Sequence, residues 1–496
     1  MKKLFILIVV TILISCGPVH KSDDLTNGIM IDCSRLLEKH EYYYELVDFM
    51  TAWNMNTLLL HFSDDHGISI RLPGFEKLAH PKAFTSDEIK NLVAYANAKN
   101  IDVIPELEVF GHTRYITDHP DYQYLYVGDK NDKIVFNALD PLNPKSIDLM
   151  RSMIKEVALI FPSKYFHLGC DEVNLAGLNL SKEEEVRVWT DYVNSMMGIA
   201  RENGKTPMIW DDHVRKNLEI AKMLDKNVVL VEWNYSPDYK PTRLDTLAKM
   251  GYKNIIMAPS ISCWRNRVIP TVPQLKNVEA HAESVRRGTA TGLINTVWLP
   301  MRYLQNSMWY GMAYSAYLVN SGKEMELKKF HEIFVRKTFD VKLNNAFDDF
   351  LISWTMLHLD RRFYTAISSG NLAILNDTEK LKELKEVQEL SSTLIKNAQT
   401  ISVCKNAEIF ESMVLSAEII NVLSEGLLLI SDNNNNFDML SSWETKMASV
   451  MTRAKAEWDE GRFPDDPAKI ESKFSNLENS HLLVLLKKIE SQLSPE

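Results

Sequence analysis

From Gly28 to about Asn320 the chain alternates short apolar runs with longer amphipathic segments, eight times over. The runs are GIMIDC (28–33), TLLLHF (57–62), IDVIPE (101–106) and YFHLG (165–169), then TPMIW (206–210), VVLVEW (228–233), NIIMAP (254–259) and GLINTVW (292–298). They are nearly continuous in hydrophobicity, as parallel strands covered on both faces must be. The segments between them carry helical spacing. In SDEIKNLVAYANAKN, Ser86 can cap the start, and Ile89, Leu92, Val93, Tyr95 and Ala96 fall on one face. Eight strands separated by helices predict an α/β fold, a (β/α)8 TIM barrel over residues 28–322. A doubly wound open sheet is the competing arrangement.

After Ser321 the strand-like runs stop, and Lys/Glu-rich amphipathic segments continue almost to the end. A chain of 496 residues is too long for one average domain but suits a large barrel plus a second unit. About six helices over 323–496 are expected to pack as a bundle against the barrel, as a structural cover. In the stretch from Ile409 to Leu429, Phe410, Met413, Ala417, Ile420 and Leu427 keep helical spacing, and SDNNNNFD (431–438) reads as a polar loop between helices.

The first 27 residues are expected to be a signal and tether. Met1-Lys2-Lys3 is a short basic start, and Leu4 to Ile14 is unbroken apolar sequence. Eleven residues are too few to span a bilayer but fit the apolar region of a secretory signal. The following LISC resembles the lipobox of bacterial lipoproteins, in which the cysteine, here Cys16, is lipidated after cleavage; an ordinary signal cut nearby is the other possibility. The resemblance implies a protein of the bacterial cell envelope, periplasmic or on the outer surface, that meets the membrane through its lipid anchor only. The remaining Cys33, Cys170, Cys263 and Cys404 have neither disulfide-framework nor zinc-finger spacing, and are expected to be mostly free, buried thiols. The net charge of −10 is spread out, with no long basic run, which argues against nucleic acid and for a neutral or weakly charged substrate.

The barrel reading carries a chemical consequence, because such folds build their sites at the C-terminal ends of the strands. Those ends hold Asp32 and Arg35; His61, Asp64 and Asp65; Glu106, Glu108 and His112; and His167, Asp171 and Glu172. The later ones hold Trp210-Asp211-Asp212, Glu232-Trp233-Asn234-Tyr235, Trp264 and Trp298. Tryptophans and carboxylates together suit a sugar: indole faces stack on a pyranose, and charged groups meet its hydroxyls. A metal site built on His167, Asp171 and Glu172, or on Asp64, Asp65 and His66, matches no recognised catalytic zinc spacing, and neither a metal nor a cofactor is expected. Glycoside cleavage usually needs two carboxyl groups about 5–9.5 Å apart, flanking the bond. Asp171 and Glu172 are sequence neighbours, poorly placed as an opposed pair. They suit a substrate-assisted route, in which one protonates the leaving oxygen and the other orients a nucleophile supplied by the substrate.

HLGCDE (167–172) resembles the H-x-G-G-D-E signature of glycoside hydrolase family 20, the β-N-acetylhexosaminidases. GIMIDCSR resembles the family's first strand, ending in D-x-x-R; LHFSDDHG its H-x-x-D-D-Q-G second; VIPELEVFGH its I-P-E-I-D-x-P-G-H third; and GKTPMIWDD its fifth. The helical tail, with WDEGRFPDD (458–466), is similar to C-terminal helical domains of some members. The likeness is good from Gly28 to about Asp212 and thinner from there to Asn320. It implies a retaining exo-hydrolase that removes terminal β-linked N-acetylhexosamine from glycans. Glu172 is then the general acid and later the base. Asp171 holds the 2-acetamido group, whose carbonyl oxygen attacks the anomeric carbon to give an oxazoline-type intermediate that water opens. Arg35 meets the outer hydroxyls, and Tyr235 donates to the acetamido oxygen. Trp210, Trp233 and Trp298 wall the sugar, with Trp264 beside them, and His112, His167, Asp64, Asp65 and Glu108 support the site. Like charge and partial burial are expected to raise the pKa of Glu172.

The chain departs from the pattern at several points. Cys170 replaces the second glycine, Glu108 stands for aspartate, Phe110 for proline, and His66 and Ile68 for Gln and Trp. LPMR follows Trp298 where many members have W-x-E, and the barrel starts almost at the tether, without the family's small N-terminal α/β domain. Two other functions are compatible with these changes: release of a disaccharide or a sulfated N-acetylhexosamine, and a lipid-anchored glycan-binding protein without catalysis.

Overall fold

The computed structural model describes residues 25–128, 137–322, 325–432, 437–463 and 481–493. The signal, nearly all of the tether and Cys16 lie outside the described residues, as do parts of the 431–438 loop and of the 458–466 motif.

Among the described residues, twelve strands form two sheets. They are β1 (Thr26–Asp32), β2 (Thr57–His61), β3 (Ser63–Asp64), β4 (Gly67–Ile70), β5 (Ala79–Phe84) and β6 (Asp102–Glu106), then β7 (Tyr165–His167), β8 (Thr206–Trp210), β9 (Val229–Trp233), β10 (Asn254–Ala258), β11 (Ser260–Ser262) and β12 (Gly292–Val297). Strands β1, β2, β6, β7, β8, β9, β10 and β12 pair in that order, all parallel, and β12 returns to β1. The eight-stranded barrel is therefore closed, and no open doubly wound edge exists in it. Its strands are buried over nearly their whole length, which is why they read as continuous apolar runs. Register sets the chemistry of the rim: Asp32 pairs with His61, His61 with Glu106, and Glu106 with His167, so four polar side chains occupy one level on four adjacent strands.

The crossover helices start on explicit caps. Helix Ser86–Ala98 is capped by Thr85 in a reciprocal box with Glu88, one residue before the expected Ser86, whose hydroxyl instead donates to the Arg71 carbonyl at 3.2 Å. Helix Lys182–Glu202 repeats the device with Ser181 and Glu184, and Pro144–Ile160 uses Asn143 followed by proline. Between β2 and β6 the chain inserts the small sheet β3–β4–β5, whose antiparallel β3–β4 hairpin carries Asp64, Asp65 and His66 to the barrel mouth.

Past the barrel's last helix (Trp309–Ser321) the described residues form seven α-helices, one more than the sequence suggests. Helix Ala407–Ser431 is their centre. It is long and apolar enough to cross a membrane by length and composition, yet most of it is buried, with Trp354 and Trp443 donating to its Met413 and Val422 carbonyls at 2.8 and 2.9 Å. This region grips the barrel through Arg462. Its guanidinium meets the buried Glu38 carboxylate (2.9 and 3.2 Å) and donates to the Pro300 and Tyr303 carbonyls at 2.9 and 3.0 Å. Cys33, Cys170 and Cys263 are free and buried, while Cys404 is free and exposed.

Candidate active site

A cavity of about 590 Å³ opens at the C-terminal ends of the barrel strands. Of the sequence-derived candidates, Arg35, Asp64, Asp65, His112, Asp171, Glu172, Trp210, Trp233, Tyr235, Trp264 and Trp298 line it. His167 and Glu108 do not. Both are fully buried behind the wall, His167 against the Trp210 ring (4.5 Å) and Glu108 under the turn that carries the acid pair.

That turn explains how neighbouring carboxylates share one cavity. Strand β7 ends at His167, and Gly169 (φ 64), Cys170 (φ 74) and Glu172 (φ 47) all take left-handed backbone. The alternation of an extended strand is broken, so Asp171 and Glu172 need not point to opposite faces. Gly169 is required there, since a Cβ at that position would lie 1.9 Å from Glu108 Oε2. Gly111 is needed for a similar reason, because its missing Cβ would fall 2.2 Å from the Asp171 carbonyl oxygen. Glu108 accepts from the Cys170 N–H at 3.3 Å and so braces the turn. Burial, with Asp171 next, pushes the Glu108 carboxyl well above its ordinary range.

His112 is the hub of the acidic wall. Its Nδ1 lies 3.1 Å from Asp65 and 3.6 Å from Asp64, and its Nε2 lies 3.7 Å from Asp171 and 3.5 Å from Glu172. Burial opposes a charge on this ring, but Asp171 and Asp65 outweigh it and raise its pKa well above that of a free imidazole. Arg35 is clamped by Asp32 (2.9 Å) and Asp64 (2.7 Å) and lies over the rings of Trp298 and Trp264 at 5.3 and 5.4 Å. Burial opposes the Asp64 charge, yet Arg35 and then His61 hold its carboxyl well below the carboxylate range. His61 lies 3.1 Å from Glu106, which accepts from Trp210 Nε1 at 2.6 Å. The aromatic wall is likewise fixed, with Trp298 Nε1 donating to the Tyr235 hydroxyl at 2.6 Å.

The two acids differ in environment, and the difference reverses the expectation from sequence. The Asp171 side chain is only 15% exposed. Burial, reinforced by Asp212 and Glu172 against the pull of His112, pushes its pKa up to about 7. The Glu172 side chain is 56% exposed, and the hydrogen bond from His112 holds its pKa below the ordinary value, not above it. Burial therefore raises the better-enclosed partner, with the like charges of Asp212 and Glu172 adding to it. Asp171 Oδ1 is buried with no hydrogen-bond partner.

Other lining residues carry no expectation from the sequence. Arg215 and Lys216 sit on the short helix Asp212–Lys216 and pair with Asp211 (2.9 Å) and Asp212 (3.0 Å), a four-residue spacing that was legible. Asp212 also accepts from the Glu172 N–H at 3.4 Å. Cys263 and Arg265 had no motif to announce them. Among the described residues, three groups bring metal-ligand atoms within 4.8 Å of one another: His61, Glu106 and Glu108; Asp64, Asp65 and His112; and His112, Asp171 and Glu172. His112, not His167, is the histidine beside the acid pair.

The sequence model for the catalytic domain of glycosyl hydrolase family 20 matches residues 27–280, half of the chain. The chain belongs to that family. It is similar to a β-hexosaminidase of Vibrio furnissii, 29% identical over 29% of this chain and 28% of the relative, and to one of Akkermansia muciniphila, 27% identical over 37% and 43%. It is also similar to a lacto-N-biosidase of Bifidobacterium bifidum, 28% identical over 34% of this chain and 16% of that one. The matched stretch thus spans less than half the length of these relatives. Among solved structures, a β-N-acetylhexosaminidase from Bacteroides fragilis shares the fold with a TM-score of 0.52 at 19% identity, over 63% of this chain and 70% of that one.

Proposed function

We propose that the protein is a retaining, exo-acting β-N-acetylhexosaminidase that cleaves terminal GlcNAc or GalNAc with the help of the substrate's own acetamido group. The observation that carries the reading is Asp171. Its carboxylate lines the same cavity as the neighbouring Glu172, where it can accept the acetamido N–H. Family membership and the β-hexosaminidase relatives agree with it.

In this mechanism Asp171, as carboxylate, accepts the acetamido N–H and turns the carbonyl oxygen onto the anomeric carbon. Glu172 gives its proton to the leaving oxygen as the glycosidic bond breaks and the oxazoline ring closes. It then takes a proton from the water that opens the ring, so the configuration is retained overall. The empty pair holds its proton on Asp171 by preference, the wrong side for this chemistry. Sugar entry corrects that: the N–H bond favours the Asp171 anion, while exclusion of water raises the proton affinity of Glu172. His112, within 3.5–3.7 Å of both, steadies the exchange. Arg35 binds the outer hydroxyls, Tyr235 donates to the acetamido oxygen, and Trp210, Trp233 and Trp298 enclose the ring.

The test is turnover of aryl β-N-acetylglucosaminide and β-N-acetylgalactosaminide, with and without a thiazoline mimic of the intermediate. Hydrolysis blocked by the mimic is expected; sugar binding without turnover would overturn the reading in favour of a glycan-binding protein. We further propose that Cys16 carries the lipid that holds the protein in the cell envelope. Palmitate labelling lost in Cys16→Ser is the expected result.

A further inference from the structure

The face of the barrel opposite the mouth has a charge of its own. The connections that lead into β6, β7, β8, β9, β10 and β12 carry one cation each: Lys99, Lys164, Lys205, Lys226, Lys253 and Arg287. Asp225 is the one acid among them, and Arg201 meets it at 3.0 Å. Helix C-termini favour cations, and that preference accounts for part of the pattern. Lys205 donates to the Phe161 and Ser163 carbonyls at 2.5 and 2.8 Å, and Lys226 to that of Leu224 at 2.7 Å. Lys99 pairs with Asp48 at 2.8 Å, and Arg287 shares Glu283 with Arg286. The preference does not account for Lys164 and Lys253. Both are exposed directly before a strand, and neither has an ion pair or a side-chain hydrogen bond among the described residues. Lys164 lies over the Tyr165 ring at 4.8 Å. In a chain of net charge −10, a cation in each of six successive connections reverses the sign locally.

The chain enters the fold at this same face. Leu25 lines a hollow at the strand starts together with Lys164 and Asn254, and its carbonyl accepts from the Asn56 amide at 2.8 Å. Eight residues, 17–24, separate it from Cys16. At full extension they reach at most about 30 Å, so a lipid on Cys16 keeps the strand starts within that distance of the bilayer surface. Asp171 and Glu172 lie at the far ends of the same parallel strands. We propose that the strand-start face docks on the anionic headgroups of the membrane that holds the Cys16 lipid, and points the active-site mouth away from it. The proposal rests on the lipid-anchor reading. Attraction between such headgroups and a cation decays over about 8 Å in physiological salt, so the face that the tether holds close is the face that feels it. The preferred substrates are then glycan ends arriving from solution, and not glycolipids of the same membrane.

The first test is hydrogen exchange of the lipidated protein on phosphatidylcholine vesicles with and without phosphatidylglycerol. Residues 161–164, 250–253 and 287–291 are expected to exchange more slowly when phosphatidylglycerol is present, with residues 263–266 at the mouth unchanged. Protection at the mouth, or no effect of phosphatidylglycerol, overturns the proposal. The mature chain beginning at residue 16, carrying Cys16→Ser and therefore no lipid, separates the two readings. It is expected to sediment with phosphatidylglycerol vesicles and not with phosphatidylcholine alone, and about 0.5 M salt should release it. Lys164→Gln/Lys253→Gln should weaken that binding roughly 25-fold, about fivefold for each cation, with turnover of a soluble aryl substrate unchanged. Lys253→Gln alone, an exposed change expected to cost about fivefold, keeps the test open should the double variant misfold. Equal binding to both kinds of vesicle, no binding to either, or binding that survives the variants overturns the docking face. If Cys16 proves to carry no lipid, the anchor reading fails, and this second measurement decides the face separately.

Discussion

The two ends of the barrel make an instructive pair. At the strand starts lies a hollow of about 830 Å³, larger than the site cavity, lined by residues such as Asn56, Thr57 and Tyr165. Its Asn56 amide is satisfied on both sides. Asn56 accepts from the Asn27 N–H and the Thr57 hydroxyl, both at 2.9 Å, and donates to the Leu25 carbonyl at 2.8 Å. At the strand ends, buried oxygens of Asp64, Glu106, Glu108, Asp171 and Asp212 lack hydrogen-bond partners, and several backbone angles are left-handed. Volume alone does not mark a site. One end is built for stability, and the other withholds stability to keep charges and acceptors open.

The largest effects should come from breaking the open end. Glu172→Gln is expected to cost about 10²–10⁴-fold in kcat/KM on substrates with poor leaving groups, and much less on activated aryl glycosides, which need little acid help. Asp171→Asn should cost roughly 10²-fold or more on both, since it removes charge positioning. A Glu172→Gln enzyme with wild-type rates on natural glycans would refute the assignment.

The pH profile sharpens the same contrast. The productive pair carries one proton. It loses that proton as pH rises through about 7, the Asp171 value, and gains a second only below the ordinary glutamate range, because Glu172 is lowered. The wild-type kcat/KM should therefore fall above about pH 7. In Asp171→Asn that limb should disappear; a limb that stays in place would assign it to another group.

Much of this end is legible in the sequence. Parallel strands buried on both faces leave continuous apolar runs, and the barrel rule converts their C-terminal ends into a list of site residues. What stayed hidden depends on three-dimensional exposure. Nothing in adjacency says that Asp171 is enclosed and Glu172 half open, so the pKa shift was assigned to the wrong acid. Likewise His167 reads as a rim residue but turns into the core behind Trp210. The β3–β4–β5 sheet escaped notice because strands of two to six residues with mixed polarity carry little periodic signal.

Stability separates the two ends in opposite directions. The Asp171 pKa is raised on folding from 3.8 to about 7. Its contribution to stability is complete below the unfolded carboxyl range and drains away as pH rises to about 7. Asp171→Asn should therefore gain about 0.5–2 kcal/mol over wild type at pH 8 and less at pH 4.5, while losing activity. Asn56→Ala should lose about 1–3 kcal/mol by stranding buried partners, with kcat/KM unchanged. Thermal melts at the two pH values, with kinetics on both variants, check the pair. If both variants moved stability the same way, the contrast between the ends would be false.

The smallest effect concerns Cys170, which takes a left-handed backbone where the family signature has glycine. For a residue with a Cβ that conformation costs roughly 1–2 kcal/mol. Cys170→Gly removes the strain, but it frees the unfolded chain by about 0.5–1 kcal/mol and empties the buried space of the thiol. These terms nearly cancel, so the glycine variant should melt close to wild type. Cys170→Ala keeps the strain and loses the sulfur, and should be the less stable of the two variants. Activity tests the geometry independently. The Asp171–Glu172 pair hangs on this turn, and Glu108 braces it through the Cys170 N–H, which every substitution here retains. Glycine should leave kcat/KM nearly unchanged if that bond holds the turn. A large loss in the glycine variant, with stability intact, would mean that the Cβ of Cys170 itself fixes the angle at which the two acids enter the cavity.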